Sequence, residues 1–261
     1  LLDHDDVILP NALYENVKAI NETGAQVLYS DEITLDGDLK HLIQFHFKID
    51  YAPDFLRGVN YITHFLVFDR KLFEQVGAYE DPRFDGAQDF DIILRCIAGL
   101  KDDTEAIHIS RILYHWRCHD ESTAVNTDSK QYAYENGKLA VEDYIKNRDW
   151  NAKVEHMSHL GFYRITYEPD IFSNRPEVGI VAGPVYKGGK IISGAMKRDG
   201  TVMYKGLPKG FSGYMHRAAL MQQVGAGDVR NMEIRPELQE LWDKEVVPKM
   251  QEKGCDYTEL S

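Results

Sequence analysis

Three carboxylates crowd into four positions near the start of the chain, Asp3, Asp5 and Asp6, with His4 among them. Neighbouring carboxylates repel unless something positive lies between them, and hard divalent cations favour carboxylate oxygens. A magnesium or manganese ion is one reading of the triplet. A solvated acidic turn, with Asp6 near a helix N-terminus, is the other. A second acidic pair, Asp89 and Asp91, follows Gln88 in GAQDFDIILR, where a helical pattern begins. Acids there suit the helix dipole and cap free amides, and the same placement can present a general base to a cleft. In LYHWRCHDESTA, His115, Trp116, Arg117 and His119 come directly after a strand pattern. Arginine and histidine there can neutralise a pyrophosphate, and the indole can line a sugar or base. The alternative is a core tryptophan with surface charges. His41, His46 and His64 show no ligand spacing, so a hydrolytic metal enzyme built on the acidic triplet lacks a water-activating set.

The elements that must position these residues alternate in type. Pro10–Asn21 is expected as a helix with Leu13, Val17 and Ile20 on one face and Gly24 as its stop. AQVLYS (Ala25–Ser30) reads as a strand, followed by an acidic loop holding Asp31, Glu32, Asp36 and Asp38. HLIQFHF reads as a strand edge or acceptor loop, and Tyr61–Phe68 as a mostly buried strand. Lys71–Val76 and Asp89–Ala98 are expected as helices, Ala106–Ile109 and Ile112–Trp116 as short strands, and Ser129–Lys146 as a longer helix. Strands near Lys153–His156 and Phe162–Tyr167 follow. The alternation predicts a mixed α/β sheet covered by helices. EPDIFSNRPE reads as a boundary, and VGIVAGPVY as a buried strand leading through a KGGK turn to IISGAM. Pro236–Lys253 is expected as a helix kinked at Pro248.

At 261 residues, 43% hydrophobic and 28% charged, the chain has the composition of a soluble globular protein with one large core or two smaller ones. A net charge of −12 argues against a general nucleic-acid grip. Ile92–Leu100 is too short, and with Arg95 too polar, to span a membrane. No signal peptide is visible at the start. Cys96, Cys118 and Cys255 are odd in number and lack metal spacing, which suits a reducing cytosol.

In chain order, DHDD, YSDE, FKIDYAPDFL, NYITHFLVFDR, GAQDFDIILR and LYHWRCHDESTA closely resemble the motifs of family 2 glycosyltransferases. The nearest likeness is to bacterial tandem enzymes that build rhamnose-rich or similar cell-surface polysaccharides. Six motifs in order carry the likeness; one acidic motif would not. It is dense over residues 1–167 and looser beyond, where RPEVGIVAGPVYKGGKIISGA looks like the middle of a second catalytic unit. The resemblance implies a partial GT-A fold, a mixed sheet flanked by helices. Residues 1–167 would be the acceptor and metal side of one domain, 168–176 a linker, and 177–261 a partial second, smaller α/β segment.

Carried over residue by residue, Asp3 and Asp5 match the DXD positions that hold Mn2+ or Mg2+, with Asp6 beside them. Asp89 matches the acid of an ED-like motif, the general base, although Gln88 stands where glutamate is commoner. Arg117 and His119 match the late motif that closes over the diphosphate, and Asp91, His115 and Trp116 lie in the same two motifs on the substrate side. The implied reaction is a single inverting displacement from a nucleotide-sugar donor to a glycan or lipid-linked glycan acceptor. It would take place in the cytoplasm at the inner face of the membrane, with no nucleic acid involved. In the resembled enzymes the half that grips the nucleotide precedes the DXD strand. Only two residues precede Asp3 here, so the expectation is an incomplete donor site with an exposed sheet edge. The competing reading is a carbohydrate-binding or scaffold module that has lost donor binding.

Overall fold

A computed structural model describes residues 2–79, 81–100, 106–118 and 131–252. The chain divides into two compact units, Leu1–Asp149 with Lys153–Ile165, and Trp150–Ala152 with Thr166–Ser261.

The first unit is a mixed α/β sheet flanked by helices. Its strands are β1 (Val7–Ile8), β2 (Val27–Asp36), β3 (Leu42–His46), β4 (Leu66–Phe68) and β5 (Ala106–Cys118). The order is β1-β5-β2-β3, and β4 also pairs with β2. β2 is the axis: β5 runs parallel along one edge, while β4 and β3 lie antiparallel along successive halves of the other. With neighbours on both edges, β2 is buried from Val27 to Glu32. Leu28, Phe65, Ile109, Leu113 and Tyr114 form a core cluster with Ala12 beside it.

The expected acidic loop is instead strand. Asp31 and Glu32 extend β2 and are 5% and 1% exposed, because cationic partners from distant segments meet them there. The two short strands expected around Ser110 are one, β5, which bulges against β2 between Ile109 and Ile112. The strand expected over Tyr61–Phe68 is regular only at β4. HLIQFHF does supply an edge strand, β3.

Among the described residues, five α-helices flank this sheet: α1 (Ala12–Thr23), α2 (Pro53–Gly58), α3 (Arg70–Gln75), α4 (Gln88–Gly99) and α5 (Gln131–Asn147). Gly24 closes α1 in the left-handed conformation, at φ 70°. The inward face of α1 is not its apolar stripe. Ala12 and Asn16 are buried, whereas Leu13 and Val17 are 63% and 55% exposed. Asn16 can sit inward because its amide donates to the Ala12 carbonyl at 2.9 Å. α4 follows its sequence pattern, burying Phe90, Ile93, Cys96 and Ile97. Two further strands, β6 (Ala152–His156) and β7 (Tyr163–Tyr167), pair with each other.

The second unit holds short paired strands rather than one sheet. Ile180–Ala182 pairs with Met232–Ile234, Val185–Lys187 with Lys190–Ser193, and Ala195–Met196 with Ala226–Gly227. The KGGK turn forms as expected, with Gly188 and Gly189 at φ 57° and 72°. VGIVAGPVY is not a buried strand. It is split at Gly183–Pro184, and Ile180 is 46% exposed. Residues 168–176, expected as a linker, are packed. Asp170 caps the helical turn Ile171–Asn174, and Arg175, 4% exposed, stacks over Trp150 at 4.6 Å. The tail is helical in pieces from Pro236 to Glu252, with a wide π turn over Trp242–Val246 just before Pro248.

Candidate functional site

Sheet topology assembles the site where the turn before β1 meets the end of β5. The Asp6 carboxylate accepts the Arg117 backbone N–H at 2.7 Å and the Tyr114 hydroxyl. Arg117 Nε donates to the Asp5 carbonyl at 2.6 Å and Nη1 to the Gly37 carbonyl at 2.7 Å. The acidic turn is thus tied down from both sides. Burial pushes Asp6 above the usual carboxylate range, and the Arg117 and Tyr114 hydrogen bonds only partly offset it.

Against this turn lies His64. Its Nε2 is 3.8 Å from Asp3 Oδ2, and its ring stacks on Tyr114 at 5.0 Å and leans on Trp116 at 5.4 Å. Donor atoms of Asp3, Asp6 and His64 all lie within 4.8 Å of one another, the one such group among the described residues able to hold a metal ion. Asp5 is not in that group; its carbonyl anchors Arg117 instead. The residues that fit a cation therefore differ from the expected Asp3 and Asp5 pair. His64 joins them although its spacing in sequence gave no sign of it.

Behind His64 lies a buried ionic network. Glu32 Oε2 is 3.3 Å from His64 Nδ1 and 3.2 Å from Lys48 Nζ, and Oε1 is 2.7 Å from His46 Nδ1. Lys48 also donates to the carbonyls of Ile62, at 2.7 Å, and His64. Burial alone would neutralise Glu32, but Lys48, His46 and His64 outweigh it and hold the carboxyl below its usual range. For His64, burial favours the neutral ring, yet Glu32 wins and raises its pKa. Next along β2, Asp31 accepts from Lys48 N at 2.8 Å and meets His108 Nε2 at 3.0 Å. Sequence reasoning missed this network because each acid looked like part of a polar loop.

Asp89 sits in the first turn of α4, half-buried. It accepts the Asn60 amide at 2.8 Å and lies near enough to His64 and Asp3 for both charges to act on its ionisation. Desolvation dominates and raises its pKa. Asp3, Asp6, His64, Asp89 and Trp116 therefore share one neighbourhood. Gln88, at the helix start, is exposed. His115 alternates with Tyr114 and Trp116 along β5, so its ring leaves the opposite face, where burial lowers its pKa. Asp91 is not brought to the cluster. It pairs with Arg95 one turn along α4 and lines a hollow of about 120 Å³ with Asp81, Arg83 and Asp143. His119 lies outside the described residues.

No protein-family model matches the chain. An uncharacterised protein of Sinorhizobium fredii, y4gI, is 41% identical over 147 residues, which is 56% of this chain and 16% of that protein. The O-antigen biosynthesis protein RfbC of Myxococcus xanthus is 33% identical over 182 residues, 69% of this chain and 14% of that protein. The chain thus spans about one seventh of the length of these curated relatives. Among solved structures, residues 1–349 of S. aureus TarS in complex with UDP-GlcNAc align over 56% of this chain and 42% of that one. That alignment has 17% identity and a TM-score of 0.42. A mixed sheet flanked by helices, motifs that resemble those of GT-A glycosyltransferases, and a relative named for O-antigen biosynthesis describe what this chain is similar to.

Proposed function

We propose that the first unit is the metal- and acceptor-side portion of an inverting glycosyltransferase in glycan synthesis. It would use a nucleotide-sugar donor and a glycan or lipid-linked glycan acceptor. The observation that carries this reading is Asp89, held above its usual pKa and feeling the charges of His64 and Asp3, two members of the Asp3–Asp6–His64 group. An O-antigen relative at 33% identity supports the substrate class. We place the work in the cytoplasm at the inner face of the membrane; no helix among the described residues is long and apolar enough to cross one.

Asp89 is the general base. Its carboxylate takes the proton from an acceptor hydroxyl as that oxygen attacks the anomeric carbon. The new C–O bond forms on the face opposite the leaving group, and the bond to the diphosphate breaks with its electrons on the departing oxygen. Asn60 holds one Asp89 oxygen, which aims the other. A manganese or magnesium ion, when bound by Asp3 and Asp6, supplies charge neutralisation for the leaving diphosphate. Trp116, half-buried beside His64, gives the site an aromatic wall.

The test is Asp89→Asn in the longest natural polypeptide that contains these residues, assayed for sugar transfer. Asparagine keeps the shape and the helix-start chemistry but cannot take the proton. The variant should fold, bind donor and transfer at least ~100-fold more slowly. A folded variant with near-full transfer would reduce Asp89 to a helix-start residue and remove the proposed base.

A further inference from the structure

We propose that His64 Nε2 is a ligand of the cation held by Asp3 and Asp6. The set would then be carboxylate–carboxylate–imidazole, favouring a transition-metal ion such as manganese over magnesium. The inference rests on reading this neighbourhood as a metal–diphosphate site.

The spacing is the first argument. At 3.8 Å, His64 Nε2 and Asp3 Oδ2 are too far apart for a hydrogen bond. Two donors that each hold an ion at about 2 Å stand at such a separation. Asp6 completes the group, and its two engaged oxygens keep lone pairs, since each carboxylate oxygen has two acceptor sites.

The second argument is what stands behind the ring. A metal-bound imidazole characteristically gives its other N–H to a carboxylate, which fixes the tautomer and aims the free lone pair. Here Nδ1 faces Glu32 Oε2 at 3.3 Å, within ion-pair range although its angle falls short of a hydrogen bond. Glu32 is anchored by Lys48 and His46, so it stays ionised where it is.

The third is rigidity. Tyr114 lies almost parallel to the His64 ring, at 9°, and its hydroxyl donates to Asp6. One side chain therefore orients two of the three ligands. Magnesium wants all-oxygen octahedra and keeps its waters, whereas first-row transition ions accept a nitrogen donor, manganese the weakest binder among them.

The test is electron spin-echo spectroscopy of Mn2+ added to the protein, with and without pyrophosphate, together with Mg2+ competition. The bound manganese should show nitrogen coupling from one imidazole. His64→Ala should lose that coupling and weaken manganese binding by ~10–100-fold, while Asp5→Asn keeps both. Magnesium should displace manganese far more easily from the alanine variant than from wild type. Bound manganese without nitrogen coupling in wild type, no manganese binding at all, or equal affinity in His64→Ala would overturn the proposal. The wild-type spectrum needs no variant to fold. Nitrogen-coupled manganese without any transfer would count against the function and leave the ligand standing.

Discussion

Around Asp91, each charge meets an opposite one at close range. Asp91 pairs with Arg95, while Arg83 bridges Asp81 and Asp143 at 2.9 and 2.8 Å. Arg95 also reaches the Tyr79 carbonyl at 2.8 Å, so this guanidinium fastens α4 to the loop after α3. Two residues earlier on the same helix, Asp89 has among the described residues only an amide as its side-chain hydrogen-bond partner, and the charges acting on it include a second acid, Asp3. Both regions draw on aspartates and bases, and both are partly shielded from water. In the first every aspartate has a guanidinium at close range, which is what a structural network does. In the second, Asp3 and Asp6 share one imidazole, His64, and no guanidinium or ammonium group among the described residues pairs with either carboxylate, which suits a ligand bearing positive charge.

The largest expected effect lies behind the site. Glu32→Gln would leave Lys48, with 3% of its side chain exposed, buried without its counter-charge. Breaking such a pair costs about 3–5 kcal/mol, read as a lowered denaturant midpoint. A loss below about 1 kcal/mol, the range of an exposed pair, would mean the network is not carrying charge.

A smaller effect sharpens the contrast between the two regions. Arg95→Met should destabilise by about 1–3 kcal/mol, because it strips hydrogen bonds from Asp91 and two carbonyls. Transfer per folded molecule should stay unchanged. If that variant instead lost transfer as Asp89→Asn is expected to, the hollow around Asp91 would belong to the active site and the comparison would fail.

Much of this was legible in the sequence, and the pattern of misses is physical. α4 was readable because its apolar positions recur at helical spacing and its first turn is acidic. The KGGK turn was readable because two adjacent residues at positive φ demand glycine. Asp31 and Glu32 were misplaced into a loop, since acids in a buried strand are tolerated only when paired. Their partners Lys48, His64 and His108 are far away in sequence. His64 was passed over for the same reason: spacing rules find ligands that share one helix or turn, and this ring reaches Asp3 through sheet topology. The apolar stripe Leu13, Val17 and Ile20 of α1 lies exposed, because periodicity identifies an apolar face without saying that anything covers it.

The smallest expected stability effect belongs to Asp89, and there it separates function from structure. Its pKa is raised by burial, so the ionised form costs stability at neutral pH, and the cost disappears as pH falls below the ordinary carboxylate value. Asp89→Asn should therefore be as stable as wild type or slightly more so at pH 7, with no difference in acid. The deciding measurement is the pH profile of transfer, kcat/KM, for wild type and Asp89→Asn side by side. Wild type should lose transfer as pH falls through a midpoint above the usual aspartate value. The residual rate of the asparagine variant should show no such limb. An acid limb that persists unchanged in a stable Asp89→Asn variant, at a rate near wild type, would contradict the account.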